Sequence, residues 1–309
     1  MPLRDAGSRV LRIAAARRAA LRVAAAGGRA LILLYHRITP GGGAPHDVVP
    51  AVTPALFQRH VEALADLGDV VPLARLLEPP DSARRVRIAI TLDDDDDNHV
   101  RHALPILQAA AAPATFFLSG RALRGLGPYW WVVLERLVAE RGLAEACAAV
   151  GAPAASAVDL AARCEGSPAA ERLAALGDGG TPPLARAEMR ALADAGMTVG
   201  FHTLRHPVLT ALPDDVLAEA LVNGRADLAA LLGRPVDLFA YPHGRADARV
   251  ARAARSAGYR AAFGSRGRPV HRGSDPFLLG RWEPGPLPVE ELVASVALRL
   301  NLPTAARRR

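Results

Sequence analysis

Five consecutive carboxylates, residues 93–97, directly follow the apolar segment 86–92. That apolar segment is typical of a buried strand. Like charges clustered at the end of a buried strand cost several kcal/mol unless a cation or protonation relieves them, and a bound cation is the simplest explanation. Taken alone, the acidic run is equally compatible with a solvated acidic turn.

Two histidines four residues apart, His202 and His206, follow another apolar segment, residues 198–201. This spacing allows both rings to turn onto one face of a helical turn and to present nitrogens to one metal ion. Alone, the same spacing is compatible with ordinary surface or core histidines. Combined with carboxylates after a different strand, it predicts a site for a divalent cation.

A further strand-like segment, residues 238–241, runs into a tight turn that contains Pro242, His243 and Gly244. Proline and glycine restrict the backbone of such a turn and expose an amide edge. A plain strand-to-helix turn is the alternative to a functional role.

The elements that must position these residues alternate between strand and helix patterns. This alternation predicts an α/β protein with a mostly parallel sheet or barrel, whose strands deliver their carboxyl ends to one mouth. Ala-rich helical stretches in residues 121–185 interrupt the alternation and are interpreted as a helical insertion. The apolar runs interpreted as strands are residues 30–34, 86–92, 114–118, 198–201, 238–241 and 261–263.

In order and spacing, the motifs resemble those of the NodB-homology polysaccharide deacetylases, carbohydrate esterase family 4. Residues 91–94, Thr-Leu-Asp-Asp, resemble the family's T-F-D-D motif, and residues 202–207 resemble its H-[ST]-x-x-H-P motif. Residues 105–117 resemble the helix and strand that connect them, and the similarity extends over about residues 30–283. The resemblance implies a distorted (β/α) barrel of about seven strands.

The same resemblance implies that Asp94, His202 and His206 hold one divalent metal ion, with zinc expected and cobalt, manganese or nickel as alternatives. It assigns Asp93 as the general base. The chemistry is consistent, because a Lewis-acidic cation polarises an acetamide carbonyl and acidifies bound water while an adjacent carboxylate removes the proton.

The resemblance also implies an oxyanion partner from a backbone amide in the third motif, assigned to Tyr241, with Pro242 and His243 beside the substrate. In relatives whose first strand ends in Tyr-His, this histidine protonates the departing amine. Residue His36 occupies that position and is predicted to be the acid, with a histidine hydrogen-bonded within the barrel rim as the alternative. His60, His99 and His102 are interpreted as surface or supporting residues.

The sequence departs from the family pattern at two places. Asp95 stands where the family usually has glycine, and an extra carboxylate there is expected to affect the metal preference. The third motif lacks the arginine that many members use to hold the catalytic aspartate. We expect Arg281 to approach Asp93 instead, and a surface charge is the alternative. Trp130 and Trp131 are interpreted as a sugar-stacking platform or a core contact.

The resemblance implies a hydrolase that removes an N-acetyl group from an acetamido sugar or polysaccharide. A C–N hydrolase of the same fold that acts on a non-sugar amide is an alternative. A catalytically inactive carbohydrate-binding relative is another, although retention of an apparent base and three ligands argues against inactivity.

Composition and the terminal segments lead to predictions about partners, domain limits and location. A net charge of +7 over 309 residues, with all basic residues arginine and scattered, does not indicate a nucleic-acid partner. Residues 1–29 are predicted to be an amphipathic helical segment capable of peripheral membrane contact, residues 30–285 the catalytic barrel, and residues 286–309 a C-terminal helix and basic tail. No secretory or membrane-spanning segment is evident, which predicts a cytoplasmic location. The oligomeric state is not predicted.

Overall fold

The computed structural model describes residues 3–79, 84–176 and 181–302. All six strands predicted from the sequence are present, and their observed ends differ from the predicted ends by at most one residue. Within the described residues the strands are β1 (Ala30–Tyr35), β2 (Arg37–Ile38), β3 (Ala51–Val52), β4 (Asp69–Val70), β5 (Arg87–Asp93), β6 (Ala114–Leu118), β7 (Thr198–Phe201), β8 (Leu238–Ala240), β9 (Ala261–Gly264) and β10 (Leu279–Gly280).

Seven of these strands follow one another in the order β1-β5-β6-β7-β8-β9-β10, and all their pairings are parallel. The chain just beyond β10 returns to β1, where the Leu34 amide donates to the Trp282 carbonyl and the Trp282 amide donates to the Ile32 carbonyl, both at 2.8 Å. The sheet therefore closes into a barrel. The predicted distorted (β/α) barrel of about seven strands is confirmed.

Alternation along the strands divides the apolar side chains between two layers, because successive residues of a strand face opposite sides. Ile32, Ala89 and Phe117 belong to one buried cluster that fills the barrel. Their neighbours along the strands, such as Leu33 and Phe116, belong to a larger cluster between the sheet and the helices. Strands buried on both faces read as continuous apolar runs, which is why the sequence pattern identified them.

Helices surround the barrel. Helix α2 begins at Pro54, and the preceding Thr53 caps it, because its hydroxyl accepts from the Leu56 amide at 3.3 Å. Within the described residues the helices are α1 (Leu3–Ala26), α2 (Pro54–Leu67), α3 (Leu104–Ala109), α4 (Trp130–Arg141), α5 (Leu143–Val150), α6 (Ala157–Cys164), α7 (Pro168–Ala175), α8 (Arg186–Asp194), α9 (Asp214–Val222), α10 (Arg225–Leu232), α11 (Ala248–Ser256) and α12 (Val289–Leu300).

Residues 214–232 form two helices, α9 and α10, with a break between them. The chain turns at Gly224, whose φ of +92° lies in the left-handed region that favours glycine. A Cβ atom there would lie 3.3 Å from the Leu204 side chain. The break therefore lets the backbone pack closely against the loop that follows β7.

Helices α4 to α7 form the insertion between β6 and α8, and they pack around a small apolar core of their own. Glu135 of α4 connects this insertion to the barrel, because it accepts hydrogen bonds from the amides of Val48 and Val49 and lies 2.7 Å from an Arg37 nitrogen. Residues 177–180, within the predicted insertion, lie outside the described residues. Cys147 and Cys164 are both free thiols, the second fully buried.

The two terminal helices lie together, and the Arg29 side chain donates to the carbonyl at the end of α12, that of Leu300, at 2.9 Å. Ala24 and Ala25 of α1 are buried, while Val23 is 67% exposed. The side chains of residues 1–14, which include Leu11, lie outside the described part of α1, and the basic tail at 303–309 lies outside the described residues. No helix among the described residues is long and apolar enough to cross a membrane.

Candidate active site

The carboxyl ends of the barrel strands open into one cavity of about 340 Å³. Residues that follow β1, β5, β7 and β8 all reach this cavity, as expected for parallel strands whose ends share a mouth. The residues predicted from the sequence that line it are His36, Asp93, Asp94, Trp130, Trp131, His202, His206, His243 and Arg281.

Asp93, the last residue of β5, is buried and bound by Arg281. The two guanidinium nitrogens donate to its two carboxylate oxygens at 2.6 and 2.7 Å, a bidentate pair. Burial by itself raises the pKa of Asp93, but the charge and hydrogen bonds of Arg281, together with His202 and His36, outweigh burial and hold the pKa below its usual range. The structure thus places Arg281 where the sequence analysis expected a residue that holds the carboxylate.

Asp94 has the opposite environment, although it is the next residue in the chain. One of its carboxylate oxygens, Oδ1, is buried and has no hydrogen-bond partner among the described residues. Burial, together with the Asp93 and Asp95 carboxylates, raises the pKa of Asp94 to about 7. A buried acceptor without a donor costs about 1–3 kcal/mol, and a cation at this oxygen removes that cost.

The other three carboxylates of the run turn away to separate partners. Asp96 accepts from the Arg37 side chain at 3.1 Å, and Asp97 pairs with Arg101 at 3.0 Å. The run therefore does not form one cluster of like charges.

Asp95 is held by donors of the chain beyond β6. Its two carboxylate oxygens accept from the Ser119 amide and the Ser119 hydroxyl, both at 2.7 Å. A third donor, the Arg121 amide, lies 3.3 Å away. Asp95 therefore orders the chain beyond β6, and both of its oxygens already accept hydrogen bonds.

His202 directly follows β7 and is fully buried. Its Nδ1 lies 2.9 Å from the Ala240 carbonyl oxygen. Because a carbonyl only accepts, Nδ1 carries the proton and Nε2 presents a lone pair, the form in which histidine binds metals. Burial lowers the pKa of His202 to about 4, which keeps the ring neutral. Nε2 lies 3.8 Å from the Asp94 Oδ1.

His206 reaches the same point, but not through the helical turn that the sequence predicted. Residues 202–207 form an irregular loop in which Thr203 and His206 have φ values of +61° and +53°. The His206 amide donates to the Thr203 hydroxyl at 3.0 Å and stabilises the loop. The Nε2 of His206 lies 3.9 Å from the Asp94 Oδ1, and its Nδ1 is buried without a partner among the described residues.

Asp94, His202 and His206 together fit a metal ion. One ligand atom from each lies within 4.8 Å of the others. Two imidazole nitrogens and one carboxylate oxygen suit zinc, and three protein ligands leave coordination positions for water and substrate. The unpartnered oxygen of Asp94 is the kind of buried polar atom that a bound cation explains.

Backbone strain is concentrated at this site. Among the described residues, five that are not glycine have positive φ, and four of them, Asp94, Thr203, His206 and His243, lie around the cavity. Such conformations cost about 1–3 kcal/mol each and persist where the surrounding structure enforces them. Their concentration supports a functional role for this end of the barrel.

His36 lies at the cavity just beyond β1, and its Nδ1 is 2.7 Å from the Glu283 carboxylate. Burial lowers the pKa of this histidine, but Glu283, Asp94 and Asp93 outweigh it and raise the pKa to about 9. The ring is therefore protonated near neutral pH. The His99 ring donates to the His36 carbonyl at 2.9 Å and positions this residue.

Sequence reasoning did not identify Glu283. Its signal was the period of two just beyond β10: Arg281 and Glu283 flank Trp282, which pairs with Leu33 of β1, so both side chains face the barrel mouth.

The oxyanion assignment to Tyr241 also needs correction. Its amide donates to the Phe263 carbonyl at 2.9 Å and its hydroxyl to the Phe277 carbonyl at 2.8 Å, so both donors are committed. Of the described residues in this turn, His243 and Gly244 line the cavity, whereas Tyr241 and Pro242 do not. No hydrogen bond among the described residues uses the His243 amide.

The two tryptophans have different positions. Trp131 is 5% exposed, and its ring packs against the His206 ring with the two centroids 4.8 Å apart. Trp130 is half-buried and lines the cavity. His60 is fully buried, with its Nε2 2.8 Å from the Leu287 carbonyl, which excludes the surface position. His102 is half-buried on the outer helix layer.

Comparisons with known proteins agree with this geometry. A family model described as polysaccharide deacetylase matches residues 81–262. No curated protein sequence matches the chain significantly.

Three solved structures share the fold at low identity, which shows the fold alone. The chain is similar to the Streptococcus pyogenes deacetylase PplD in complex with acetate, with 18% identity and a TM-score of 0.61 over 86% of this chain and 97% of that one. It is similar to IcaB from Ammonifex degensii, with 20% identity and a TM-score of 0.58 over 89% and 97%. The deacetylase domain of BpsB from Bordetella bronchiseptica has 13% identity and a TM-score of 0.54 over 83% and 96%.

Proposed function

Because this chain belongs to the polysaccharide deacetylase family, we propose that it is a metal-dependent hydrolase that removes the N-acetyl group from an acetamido sugar or polysaccharide. One observation is the main support for this proposal. The ligand-type atoms of Asp94, His202 and His206 converge at the cavity beside a carboxylate, Asp93, that is kept ionised by Arg281.

Asp94, His202 and His206 would hold the divalent cation, and we propose zinc because the donor set is two nitrogens and one oxygen. When bound, such an ion supplies Lewis acidity toward the acetamide carbonyl and acidifies a water molecule. The Ala240 carbonyl fixes the tautomer of His202 in advance, so that no proton has to leave this ring for the ion to bind.

Asp93 acts as the general base in this proposal. Its carboxylate is ionised over the whole neutral range, because Arg281 holds its pKa low, and it is ready to accept a proton from the attacking water. The bidentate pair also fixes the direction of the carboxylate, so that Asp93 does not compete with Asp94 as a ligand.

His36 acts as the acid that protonates the departing amine. A histidine whose pKa is raised to about 9 carries the required proton near neutral pH. His243 is the other imidazole at the cavity with a nearby carboxylate, but burial lowers its pKa, so it is a poor donor at the same pH. His271 lines a different cavity with Arg87 and Arg260, so it cannot take this role.

The His243 amide replaces that of Tyr241 as the oxyanion donor in this proposal. It belongs to the residue that lines the cavity, and it is not used by another hydrogen bond of the described residues. Donors that are fixed in position before the reaction stabilise the developing negative charge without reorganisation.

The direct test is a screen for acetate release by the metal-stripped protein after addition of Zn²⁺, Co²⁺, Mn²⁺ or Ni²⁺. N-acetyl sugars, their oligosaccharides and small non-sugar amides are supplied as substrates. Metal-dependent release from the sugars supports the proposal. Release from the small amides alone identifies a non-sugar C–N hydrolase, and binding of sugars without release of acetate identifies an inactive relative.

A further inference from the structure

The helical insertion contributes a wall of the active-site cavity. Four residues on one face of α6 and just beyond its end, at spacings of three, four and seven, line the cavity opposite the barrel strands: Val158, Ala161, Ala162 and Glu165. The first three are small or apolar, so Glu165 is the charged residue of this wall.

Glu165 is the one cavity carboxylate among the described residues for which the proposed chemistry has no use. Asp93 is bound by Arg281, Glu283 by His36, and Asp94 belongs with the ligand set.

The Oε1 atom of Glu165 is buried and has no hydrogen bond among the described residues. The nearest side-chain nitrogens are His243 Nδ1 at 3.1 Å and Arg245 Nη1 at 3.9 Å, and neither forms a hydrogen bond with it. The Glu165 side chain as a whole is 21% exposed and is therefore accessible from the cavity. A carboxylate oxygen in this position lacks a donor, and a molecule in the cavity is placed to supply one.

Trp130 lines the same cavity from the start of α4, so the insertion presents both an aromatic ring and a carboxylate. An aromatic ring suits the apolar face of a pyranose, and a carboxylate accepts hydrogen bonds from hydroxyl groups.

We infer that Glu165 binds the sugar ring of the substrate by accepting a hydrogen bond from one of its hydroxyl groups, with Trp130 against the ring. This inference rests on the proposed function and makes the insertion the part of the chain that distinguishes a sugar acetamide from other acetyl compounds.

The test compares E165A, E165Q and wild type on two substrates in the zinc-loaded protein. One is a short N-acetylglucosamine oligosaccharide, and the other is an aryl acetate that has no sugar. The E171A variant is the control, because Glu171 is an exposed glutamate of the same insertion and does not line the cavity.

The ratio of kcat/KM for the oligosaccharide to kcat/KM for the aryl acetate should fall roughly 10- to 100-fold in E165A, the range expected for loss of a hydrogen bond to a charged group. The loss should appear mainly in KM. E165Q, which retains an acceptor oxygen, should lose less, and E171A should match wild type.

An unchanged ratio in E165A overturns the inference. Equal losses on both substrates also overturn it, because Glu165 would then act through the His243 and His206 rings, whose centroids lie 4.4 Å apart. Calorimetric binding of the oligosaccharide to zinc-loaded protein separates this inference from the proposed function. If wild type binds without releasing acetate and E165A binds more weakly, the deacetylase proposal fails and the role of Glu165 stands. If wild type does not bind the oligosaccharide, both fail.

Discussion

Asp93 and Asp94 show how two adjacent residues of the same type obtain different roles. Strand alternation turns Asp93 into the barrel toward Arg281, whereas the positive φ of Asp94, +73°, turns the next carboxylate toward His202 and His206. The pKa of Asp93 is held low, and that of Asp94 is raised to about 7. Environments that separate the pKa values of two neighbouring acids are a common basis for assigning different catalytic roles.

Asp93→Asn should keep the metal and lose turnover by roughly 10²-fold or more, since the amide cannot accept the proton. Zinc affinity by calorimetry and acetate release by a coupled assay measure the two properties. Thermal unfolding is needed as a control, because the change leaves the buried Arg281 without its counter-charge. A variant that loses zinc but regains activity at saturating metal would show that Asp93 and Asp94 have exchanged roles.

His36→Ala should retain metal binding and lower kcat on an amide substrate. The loss should be smaller on an activated acetate ester, because its leaving group departs without protonation. Initial rates on both substrates measure the difference. Equal losses on the two substrates would indicate that His36 has a structural role at the barrel rim.

Glu283→Gln should move the basic limb of the pH profile of kcat to lower pH by about 1 unit or more, because one pKa unit corresponds to about 1.4 kcal/mol and a hydrogen bond to a charged group contributes about 1.5–3 kcal/mol. The pKa of His36 is raised to about 9, so the proton needed for catalysis is present below that pH and is lost above it. Removing the Glu283 charge leaves Asp93 and Asp94 as the carboxylates that raise this pKa against burial. A basic limb at the wild-type position would exclude His36 as the acid.

At the scale of elements, the barrel strands could be predicted because strands buried on both faces are continuous apolar runs. The conformations of the turns between strands and helices could not be predicted in this way. The His202–His206 loop depends on left-handed residues, and the Tyr241 amide is committed to β9, a contact between segments distant in sequence. Local patterns report periodicity, whereas loop conformation is decided by such tertiary contacts.

The strand that carries His202 depends on Gly200, because the Phe117 ring of β6 occupies the space of a side chain. A Cβ atom on Gly200 would lie 2.5 Å from that ring and 3.0 Å from the Leu238 carbonyl. Gly200→Ala should therefore lower the free energy of unfolding by about 1–3 kcal/mol, the usual cost of overpacking.

Denaturant unfolding measures this effect, with Gly127→Ala as the matched control because no atom lies within 4 Å of a Cβ there. Equal stabilities of the two variants would contradict the packing described for β6 and β7.

For the whole molecule, the order of motifs was sufficient to predict the barrel and most residues at its mouth. Two features depended on closure of the barrel, in which the segment after β10 returns to β1. Closure brings Arg281 to Asp93, a pair expected from the sequence, and Glu283 to His36, a pair that no local pattern contains, across 188 and 247 residues of sequence. The sequence did not predict Glu165 at the cavity for the same reason, because the fold brings the end of α6 close to strand ends that are distant in sequence.

The central claim is that Asp94, His202 and His206 hold one divalent ion, and calorimetric titration of the metal-stripped protein with Zn²⁺ tests it most directly. Wild type and the control His102→Ala should bind one ion per chain. His202→Ala and His206→Ala should each weaken binding by more than the roughly 10- to 100-fold that follows loss of a group hydrogen-bonded to a ligand. Undiminished zinc binding by both variants would contradict the claim.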